Sequence, residues 1–208
     1  MKPTSRGRAL LRQMLSERNR FPEREPHIDE QIHRTFGRTV AILVLDMVGF
    51  SRLTLERGIV HYMAMIHQMD RVSRPAVGAN GGRVIKQEAD NLFCAFPDPA
   101  GALEGALDVL RAFDAVNSVL PPERHVYGSV GIGYGPTLLI GDRDMFGAEM
   151  NRACKLGEDL AGTNEILLTR AAHDALPDGT YKCAPTSFAI AGVELEAYRF
   201  VEKFVHQA

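Results

Sequence analysis

The sequence predicts an α+β fold that is built on a βαββαβ core. Short apolar runs typical of strands alternate with longer segments of helical periodicity, and one polar turn joins two strands into a hairpin. The predicted elements are a strand over 39–46, helices over about 50–78, a hairpin over 82–97, a helix over 99–118 and then further strands. This order is typical of a ferredoxin-like split unit, in which the second hairpin strand lies antiparallel beside the first strand of the domain.

The C-terminal part of the chain adds elements to this core. A helix is predicted over roughly 146–161, a strand at 165–168, and two more strands toward the C-terminus. Within the core, the helix over 99–118 places apolar residues at intervals of three and four, at Leu103, Ala106, Leu107, Leu110, Phe113 and Val116. Met63, Ile66 and Met69 of the preceding helix are spaced in the same way and are predicted to be ordinary core residues.

Three glycines, Gly131, Gly133 and Gly135, alternate along one predicted strand. Because side chains alternate between the two faces of a strand, all three leave the same face bare. A bare face weakens a strand, so we expect a helix or a partner backbone to approach this face closely, or else a β-bulge. The spacing is not that of a dinucleotide-binding fingerprint.

Composition favours one globular domain with an appendage. The chain has 208 residues, of which 45% are hydrophobic and 24% charged, enough to bury a sizeable core. A formal net charge of -2 favours neither nucleic acid nor an anionic membrane as the main partner. The three cysteines have neither zinc-site nor disulfide-framework spacing, which fits a reducing cytosol. With no stretch of about 18 apolar residues, we expect a soluble cytoplasmic protein.

Residues 1–38 differ in charge from residues 39–208, and we predict that they form a separate helical appendage. They hold nine Lys or Arg and five Asp or Glu, which leaves the rest of the chain at 15 basic against 21 acidic residues. Two short amphipathic helices are predicted, separated by Pro22 and Pro26, with apolar residues at Leu11, Met14, Leu15, Ile28, Ile32 and Phe36. These helices either cover a flank of the domain or form an arm that pairs two chains.

Two aspartates stand where apolar strands give way to turns. Asp46 follows the run 40–45, and Asp90 lies in the turn of the predicted hairpin. A single aspartate at a strand end is most often a turn former. In the predicted topology, however, the end of the first strand lies beside the hairpin turn, so we expect Asp46 and Asp90 to be neighbours in space. Such a pair of carboxylates can form a hard-cation site that takes a triphosphate.

Three separated motifs resemble those of the class III nucleotidyl cyclase catalytic domain. They are Leu45-Asp46-Met47-Val48-Gly49-Phe50-Ser51, then Lys86-Gln87-Glu88-Ala89-Asp90, then Asp144-Met145-Phe146-Gly147 with Asn151. The resemblance covers about residues 38–203 and is specific because the three motifs occur together and in order. It implies a ferredoxin-like core with additional C-terminal strands and a helix, and it makes 39–208 the catalytic domain.

The resemblance implies that Asp46 and Asp90 bind two Mg²⁺ or Mn²⁺ ions. In two-metal in-line displacement, one cation lowers the pKa of the ribose 3′-hydroxyl and the other neutralises the triphosphate and the departing pyrophosphate. Gly49, Phe50 and Ser51 open the next predicted helix, whose free backbone N–H groups face an anion. The resemblance implies phosphate contacts from the same turn.

Lys86 and Asp144 fall on the two positions that select the base in this family. Adenine presents an acceptor at ring N1 and a donor at its exocyclic amine, whereas guanine reverses both. A lysine donor combined with an aspartate acceptor therefore indicates the adenylate cyclase type. Glu88 lies on the same strand face as Lys86, and an ion pair between them would compete with base recognition.

The segment around residue 151 both matches and departs from the family pattern. Asn151 matches the asparagine that orients the ribose. Lys155 stands where the family has an arginine that stabilises charge on the α-phosphate, so the charge is kept but the bidentate fork is lost. Arg152, one turn earlier, is a candidate substitute. Ala191 stands where family members often carry a phosphate-binding lysine, a loss that favours low turnover or an unusual substrate.

In this family the metal-binding aspartates come from one subunit, and the base-reading and asparagine positions come from the other. The resemblance therefore implies a head-to-tail homodimer with two equivalent sites. It favours conversion of ATP into 3′,5′-cyclic AMP and pyrophosphate. Two alternatives stay open: a cyclase of another nucleotide, either a pyrimidine nucleotide or GTP, and a degenerate homologue that binds nucleotides or dimerises without catalysis.

Overall fold

The structure is a computed structural model, and it describes residues 3–49, 55, 57–190 and 193–204. Along the chain, the elements are α1 (Pro3–Arg20), α2 (Glu25–Phe36), β1 (Gly37–Met47), α3 (Ile59–Ala79), β2 (Arg83–Glu88), β3 (Asn91–Phe96), α4 (Pro99–Asn117), β4 (Gly128–Leu139), β5 (Met145–Phe146), α5 (Ala148–Cys154), β6 (Ile166–Thr169), α6 (Arg170–Asp174), β7 (Tyr181–Ile190) and β8 (Val193–Lys203). A π-helical turn, Lys155–Leu160, continues α5.

The strands form one sheet in the order β2-β3-β1-β4-β6-β8-β7, with β5 paired to β4. β1 is antiparallel to both β3 and β4, as the ferredoxin-like arrangement requires. β6 then runs parallel to β4, and the β7–β8 hairpin extends the sheet beyond it. The predicted fold class, a ferredoxin-like βαββαβ core with additional C-terminal elements, is confirmed.

The central strand β1 is buried on both faces. Leu43 and Leu45 point to the side covered by α3 and α4, whereas Ile42 and Val44 point to the side covered by α5. This is the period-two alternation of a strand between two layers. One sequence expectation fails on α3: Met69 is fully buried, but Met63 is 61% exposed. Apolar spacing gives the orientation of a helix but not how far the neighbouring layer reaches along it.

The bare glycine face of β4 is covered by α5. A Cβ on Gly131 would lie 2.0 Å from the carbonyl oxygen of Ala153, and a Cβ on Gly133 would lie 2.6 Å from that of Glu149. The pairing of β4 with β1 runs without a register shift, so no bulge at these glycines is involved. Of the three explanations considered for the glycines, the close approach of a helix is the one that the structure shows.

The N-terminal helices pack on the end of β4. Ile28, Ile32 and Phe36 of α2 are buried against Ile140. Pro22 and Pro26 lie at helix starts, where a missing N–H is tolerated, so α1 and α2 are separated by a single 3-10 turn. These contacts favour a cover over the flank of the domain.

Two details of this segment differ from expectation. α1 has 18 residues and is not short, and Leu15 is 42% exposed although its spacing predicted a buried position. β1 begins at Gly37, directly after α2. The division into an appendage over 1–38 and a catalytic domain over 39–208 stays a prediction. Among the described helices, none has the length and apolar character needed to cross a bilayer.

Candidate active site

Asp46 and Asp90 lie next to one another at one end of the sheet. The antiparallel register pairs Asp46 on β1 with Asn91, the first residue of β3. Asp90 directly precedes Asn91, in the two-residue turn that joins β2 to β3. The other turn residue, Ala89, has a φ of 50°, a left-handed conformation that is uncommon in residues other than glycine. The proximity expected from topology is therefore present.

The Asp46 carboxyl is in an unfavourable electrostatic environment. Burial raises its pKa to about 7, and the negative charges of Asp90, Glu158 and Asp159 act in the same direction. The backbone N–H of Met47 lowers the pKa but does not offset these effects. Two close carboxylates repel one another, and a divalent cation relieves that repulsion. The donor types and the electrostatics therefore fit a hard cation.

Protein ligands at this position are few. In the part of the chain that the structure describes, no group of three or more His, Cys, Asp or Glu side chains is arranged to hold a metal ion. Mg²⁺ usually keeps several waters and is bound through one or two carboxylates together with substrate phosphates. A two-aspartate site is therefore suited to a cation that arrives with a phosphate-bearing ligand.

Two side chains that the sequence analysis did not single out belong to the same region. Tyr62 on α3 is buried, and its hydroxyl interacts with the neighbouring Asp90 carboxylate. Burial and the neighbouring Asp90 raise the pKa of the phenol, so the hydroxyl stays protonated at neutral pH. The pKa of Glu158 is also raised, first by partial burial and then by the charge of Asp159. The sequence did contain a signal for Tyr62, namely a tyrosine on an otherwise apolar helix face. A buried phenol needs a polar partner, so such a position indicates a polar group nearby.

Lys86 on β2 and Asp144 in the turn before β5 are in direct contact. Lys86 Nζ lies 3.3 Å from Asp144 Oδ1, and the two side chains are 15% and 14% exposed. The competing ion pair considered for Glu88 is also present, with Lys86 Nζ at 2.9 Å from Glu88 Oε1. Burial lowers the pKa of Lys86, but the hydrogen bond to Glu88 and the charge of Asp144 outweigh it, so the pKa is raised. Lys86 is therefore a charged donor.

The N-terminal helix also reaches Asp144. Arg8 Nη2 donates to Asp144 Oδ2 at 2.9 Å, while Oδ1 accepts the backbone N–H of Met145 at 3.0 Å. Nothing in the sequence linked positions 8 and 144 directly. The only signal was that a basic N-terminal segment precedes an acidic body, which favours their association.

Asn151, Arg152 and Lys155 lie on α5 and its π-helical continuation. Asn151 and Arg152 are exposed. The Arg152 guanidinium pairs with Glu149, and Lys155 Nζ lies 2.7 Å from Asp159 Oδ2. Both candidate phosphate-binding cations are thus held by carboxylates of their own helix.

Glu149 is a buried carboxylate that sequence reasoning missed. Its Oε2 accepts hydrogen bonds from the Thr169 hydroxyl at 2.7 Å and from the Tyr134 N–H at 3.4 Å. Its Oε1 accepts from Arg152. These bonds fix the beginning of α5 against β4 and β6, and with it the segment that carries Asn151.

The turn after β1 is described only in part. The Val48 N–H donates to the Tyr127 carbonyl at 2.9 Å. Gly49 follows with a φ of 98°, in the region that favours glycine. Phe50 and Ser51, the other two predicted phosphate contacts, lie outside the described residues, as does Ala191.

Sequence comparison finds curated relatives but no matching protein-family model. A Rhizobium meliloti (strain 1021) protein named "Putative adenylate cyclase 3" is 31% identical over 137 residues, which are 66% of this chain and 23% of that protein. An adenylate cyclase of Streptomyces coelicolor (strain ATCC BAA-471 / A3(2) / M145) is 30% identical over 144 residues, with 65% of this chain and 36% of that protein covered. The chain therefore matches less than half the length of either relative.

Solved structures show the same fold. The adenylyl cyclase CyaB from P. aeruginosa has a TM-score of 0.69 at 17% identity, with 80% of this chain and 95% of that chain covered. The catalytic core of a rhodopsin-guanylyl cyclase with converted specificity, in complex with ATPalphaS, has a TM-score of 0.69 at 14% identity, covering 81% of this chain and 99% of that one. The guanylate cyclase domain of RhGC from Catenaria anguillulae, in complex with GTP, has a TM-score of 0.67 at 14% identity, with 80% of this chain and 97% of that chain covered.

These comparisons agree with the three motifs read from the sequence. The motifs, the strand order and the solved structures point to one domain type, and the two curated relatives carry a corresponding name. The chain therefore has the fold of the class III nucleotidyl cyclase catalytic domain, and its sequence is similar to those of proteins named adenylate cyclase.

Proposed function

We propose that this chain is an adenylate cyclase domain that converts ATP into 3′,5′-cyclic AMP and pyrophosphate. One observation carries the proposal: on a cyclase fold, Asp46 lies beside Asp90, and Lys86 lies beside Asp144. The first pair suits divalent cations with a triphosphate, and the second suits the hydrogen-bonding edge of adenine.

Asp46 and Asp90 are proposed to hold two Mg²⁺ or Mn²⁺ ions. The raised pKa of Asp46 supports this role, because the repulsion and burial behind it are what a cation compensates. When bound, the cations would acidify the ribose 3′-hydroxyl and neutralise charge on the triphosphate. Tyr62 would restrain the Asp90 carboxylate through its hydroxyl, as outer partners of metal ligands commonly do.

Lys86 is proposed to donate to N1 of adenine, and Asp144 to accept from its amine. Both groups are partly buried and charged, which makes an unmatched base costly because it leaves one of them unsatisfied. The base must also replace the contact between Lys86 and Glu88. This exchange reduces the net gain from base binding.

Asn151 is proposed to orient the ribose, and Lys155 to place positive charge near the α-phosphate, with Arg152 as a second source of charge. Gly49, Phe50 and Ser51 are proposed to contact the phosphates. Lys155 is engaged by Asp159 and Arg152 by Glu149, so each cation has to leave an acidic partner before it can bind phosphate. This requirement supports a low turnover rate.

A head-to-tail homodimer is proposed to complete the site. Among the described residues, the charges that act on Asp46 come from Asp90, Glu158 and Asp159, which are all acidic, so the cationic groups for the phosphates are better supplied by a second chain. α3, which carries Tyr62 toward Asp90, also exposes Ile59, Val60 and Met63 at 55%, 78% and 61%. An exposed apolar group beside a charged site is typical of an interaction surface, and a second copy is the partner that closed symmetry favours.

Mixing two inactive variants is expected to restore activity if the site is divided between chains. Each site is proposed to combine the metal-binding aspartates of one chain with Asn151 of the other. Asp46→Asn disables the first part, the metal half, and Asn151→Ala disables the second. A mixed dimer therefore contains one site in which both parts are intact. Random exchange of chains restores about a quarter of the wild-type sites. Cyclic AMP formation after re-equilibration measures the recovery. Asp46→Asn mixed with Asp90→Asn is the control and restores nothing, because both changes lie in the metal half. No recovery in the first mixture, although both variants dimerise, would reject the divided site.

Two other functions compete with this proposal. The departures at Lys155 and Ala191 favour a cyclase of another nucleotide or a non-catalytic nucleotide-binding module. Incubating the purified chain separately with ATP, GTP, CTP and UTP, with Mg²⁺ or Mn²⁺, and identifying products by mass distinguishes all three. Cyclic AMP from ATP supports the proposal, a cyclic product only from another nucleotide changes the substrate, and binding without any product supports the non-catalytic module.

A further inference from the structure

Both carboxylate oxygens of Asp144 are engaged within the chain. Oδ2 accepts from Arg8 at 2.9 Å, and Oδ1 accepts from the Met145 N–H at 3.0 Å and lies 3.3 Å from Lys86 Nζ. The Asp144 side chain is only 14% exposed. An amine that approaches Oδ2 therefore encounters the Arg8 guanidinium, which already occupies that oxygen.

The helix that carries Arg8 is fixed to this edge of the domain. Leu11 and Met14 of α1 pack against the apolar cluster of Ile28, Ile32, Phe36 and Ile140. Arg18 fastens α1 to α2 through Asp29, with Nε and Oδ1 2.5 Å apart. Arg8 and Leu11 of α1 line one groove together with Ile140, Asp144 and Phe146 of the domain edge. Arg8 is thus presented by a packed helix and not by a free tail.

The ion pair itself can be displaced. The Arg8 side chain is 49% exposed, so solvent and salt screen its attraction to Asp144. A partner that hydrogen-bonds to Asp144 in a desolvated site can compete with it. The packed helix α1 holds Arg8 close to Asp144, and the weak ion pair between them can open and close. Arg8 therefore covers Asp144 reversibly.

We propose that α1 is an intramolecular cover of the base-reading pair, in which Arg8 competes with the exocyclic amine of adenine for Asp144. The proposal rests on the proposed function, because it takes Asp144 as the acceptor for that amine. It assigns to the N-terminal segment a direct effect on affinity for ATP. Release of α1 by another factor would then increase occupancy of the site without any change in the catalytic groups.

Arg8→Ala is expected to tighten binding of a fluorescent ATP analogue about two- to fivefold, which corresponds to the free energy of an exposed ion pair. KM for ATP is expected to fall by a similar factor, with kcat unchanged. Binding of the matching GTP analogue is expected to change little, because guanine has a carbonyl where adenine has its amine. Raising the salt concentration should reduce the difference between wild type and variant, since the competing contact is ionic. Fluorescence anisotropy gives the dissociation constants.

Arg24→Ala is the matched control, because it removes an arginine whose ion pair with Glu17 lies within the same N-terminal segment. Unchanged or weaker ATP binding in Arg8→Ala would overturn the proposal. So would equal shifts for both nucleotides, or the same shift in Arg24→Ala. Failure of the proposed function is a separate result: the wild-type chain would then form no cyclic product. The dissociation constants of wild type and variants can still be compared in that case, so the competition by Arg8 is tested independently.

Discussion

Asp46→Asn is expected to lower cyclic AMP formation about a thousandfold or more while the chain stays folded. The substitution removes one of two charged oxygen ligands for cations that each contribute several kcal/mol of charge stabilisation in the transition state. Asparagine has nearly the same shape, so the packing of β1 is unaffected. Steady-state assays with saturating Mn²⁺, together with circular dichroism, measure both effects. Retained activity in the folded variant would remove Asp46 from the mechanism.

The same variant is expected to be more stable than wild type at pH 8 in the absence of divalent cations. Native Asp46 has a pKa of about 7, above its ordinary value of 3.8, so the native state binds more protons than the unfolded chain between these values. Native stability therefore falls as pH rises through this window. This loss of stability is absent below the pKa that Asp46 has in the unfolded chain. It is complete above the pKa that Asp46 has in the native state.

Asparagine mimics the neutral acid and removes this penalty. We expect a rise in Tm of about 2–4 °C at pH 8 and a smaller one at pH 5. Asp142→Asn is the control, since Asp142 is 63% exposed and pairs with Arg83 on the surface. If the rise in Tm for Asp46→Asn were the same at pH 5 and pH 8, the ionised Asp46 carboxylate would not be what destabilises the native state.

The double change Lys86→Glu with Asp144→Ser is expected to shift selectivity from ATP toward GTP by about a hundredfold in the ratio of kcat/KM values. Reversing the donor and removing the acceptor leaves adenine with unmatched groups and gives guanine an acceptor for its ring N–H. The new carboxylate lies beside Glu88, so some loss of overall affinity is also expected. Kinetics with each nucleotide provide the ratio.

Lys182→Glu is a matched control for this change. Lys182 is also a strand lysine in an ion pair with a glutamate, Glu202, at 2.9 Å, but it lies on the β7–β8 hairpin. It should leave the ratio unchanged. An unaltered preference for ATP in the double variant would mean that Lys86 and Asp144 do not read the base.

Much of the core and of the site could be predicted because the relevant signals are local. β1 and the β2–β3 hairpin each have a short apolar pattern, and the chirality and order of the elements then place Asp46 beside Asp90. The motif resemblance alone assigned Lys86 and Asp144 to the two base-selecting positions, and the structure brings the two side chains into contact. Strand periodicity indicated that Glu88 could reach Lys86, and it does.

What the sequence did not predict depends on tertiary contacts between distant segments. The pair Arg8–Asp144 spans 136 positions and joins a surface arginine to a turn aspartate, neither of which has a pattern of its own. Met63 is exposed although its spacing indicated core, because amphipathic spacing does not tell what covers a helix. If a second chain packs on α3, as proposed, that residue would be buried in the dimer.

The cation site is tested most directly by titrating Mn²⁺ into the chain in the presence of a non-cyclisable ATP analogue, with calorimetry as the readout. We predict the same affinity for wild type and Asp142→Asn, and a loss of about tenfold or more for both Asp46→Asn and Asp90→Asn, because each removes a charged oxygen ligand. Equal Mn²⁺ affinity in all four proteins would contradict the assignment of Asp46 and Asp90 as the cation-binding pair.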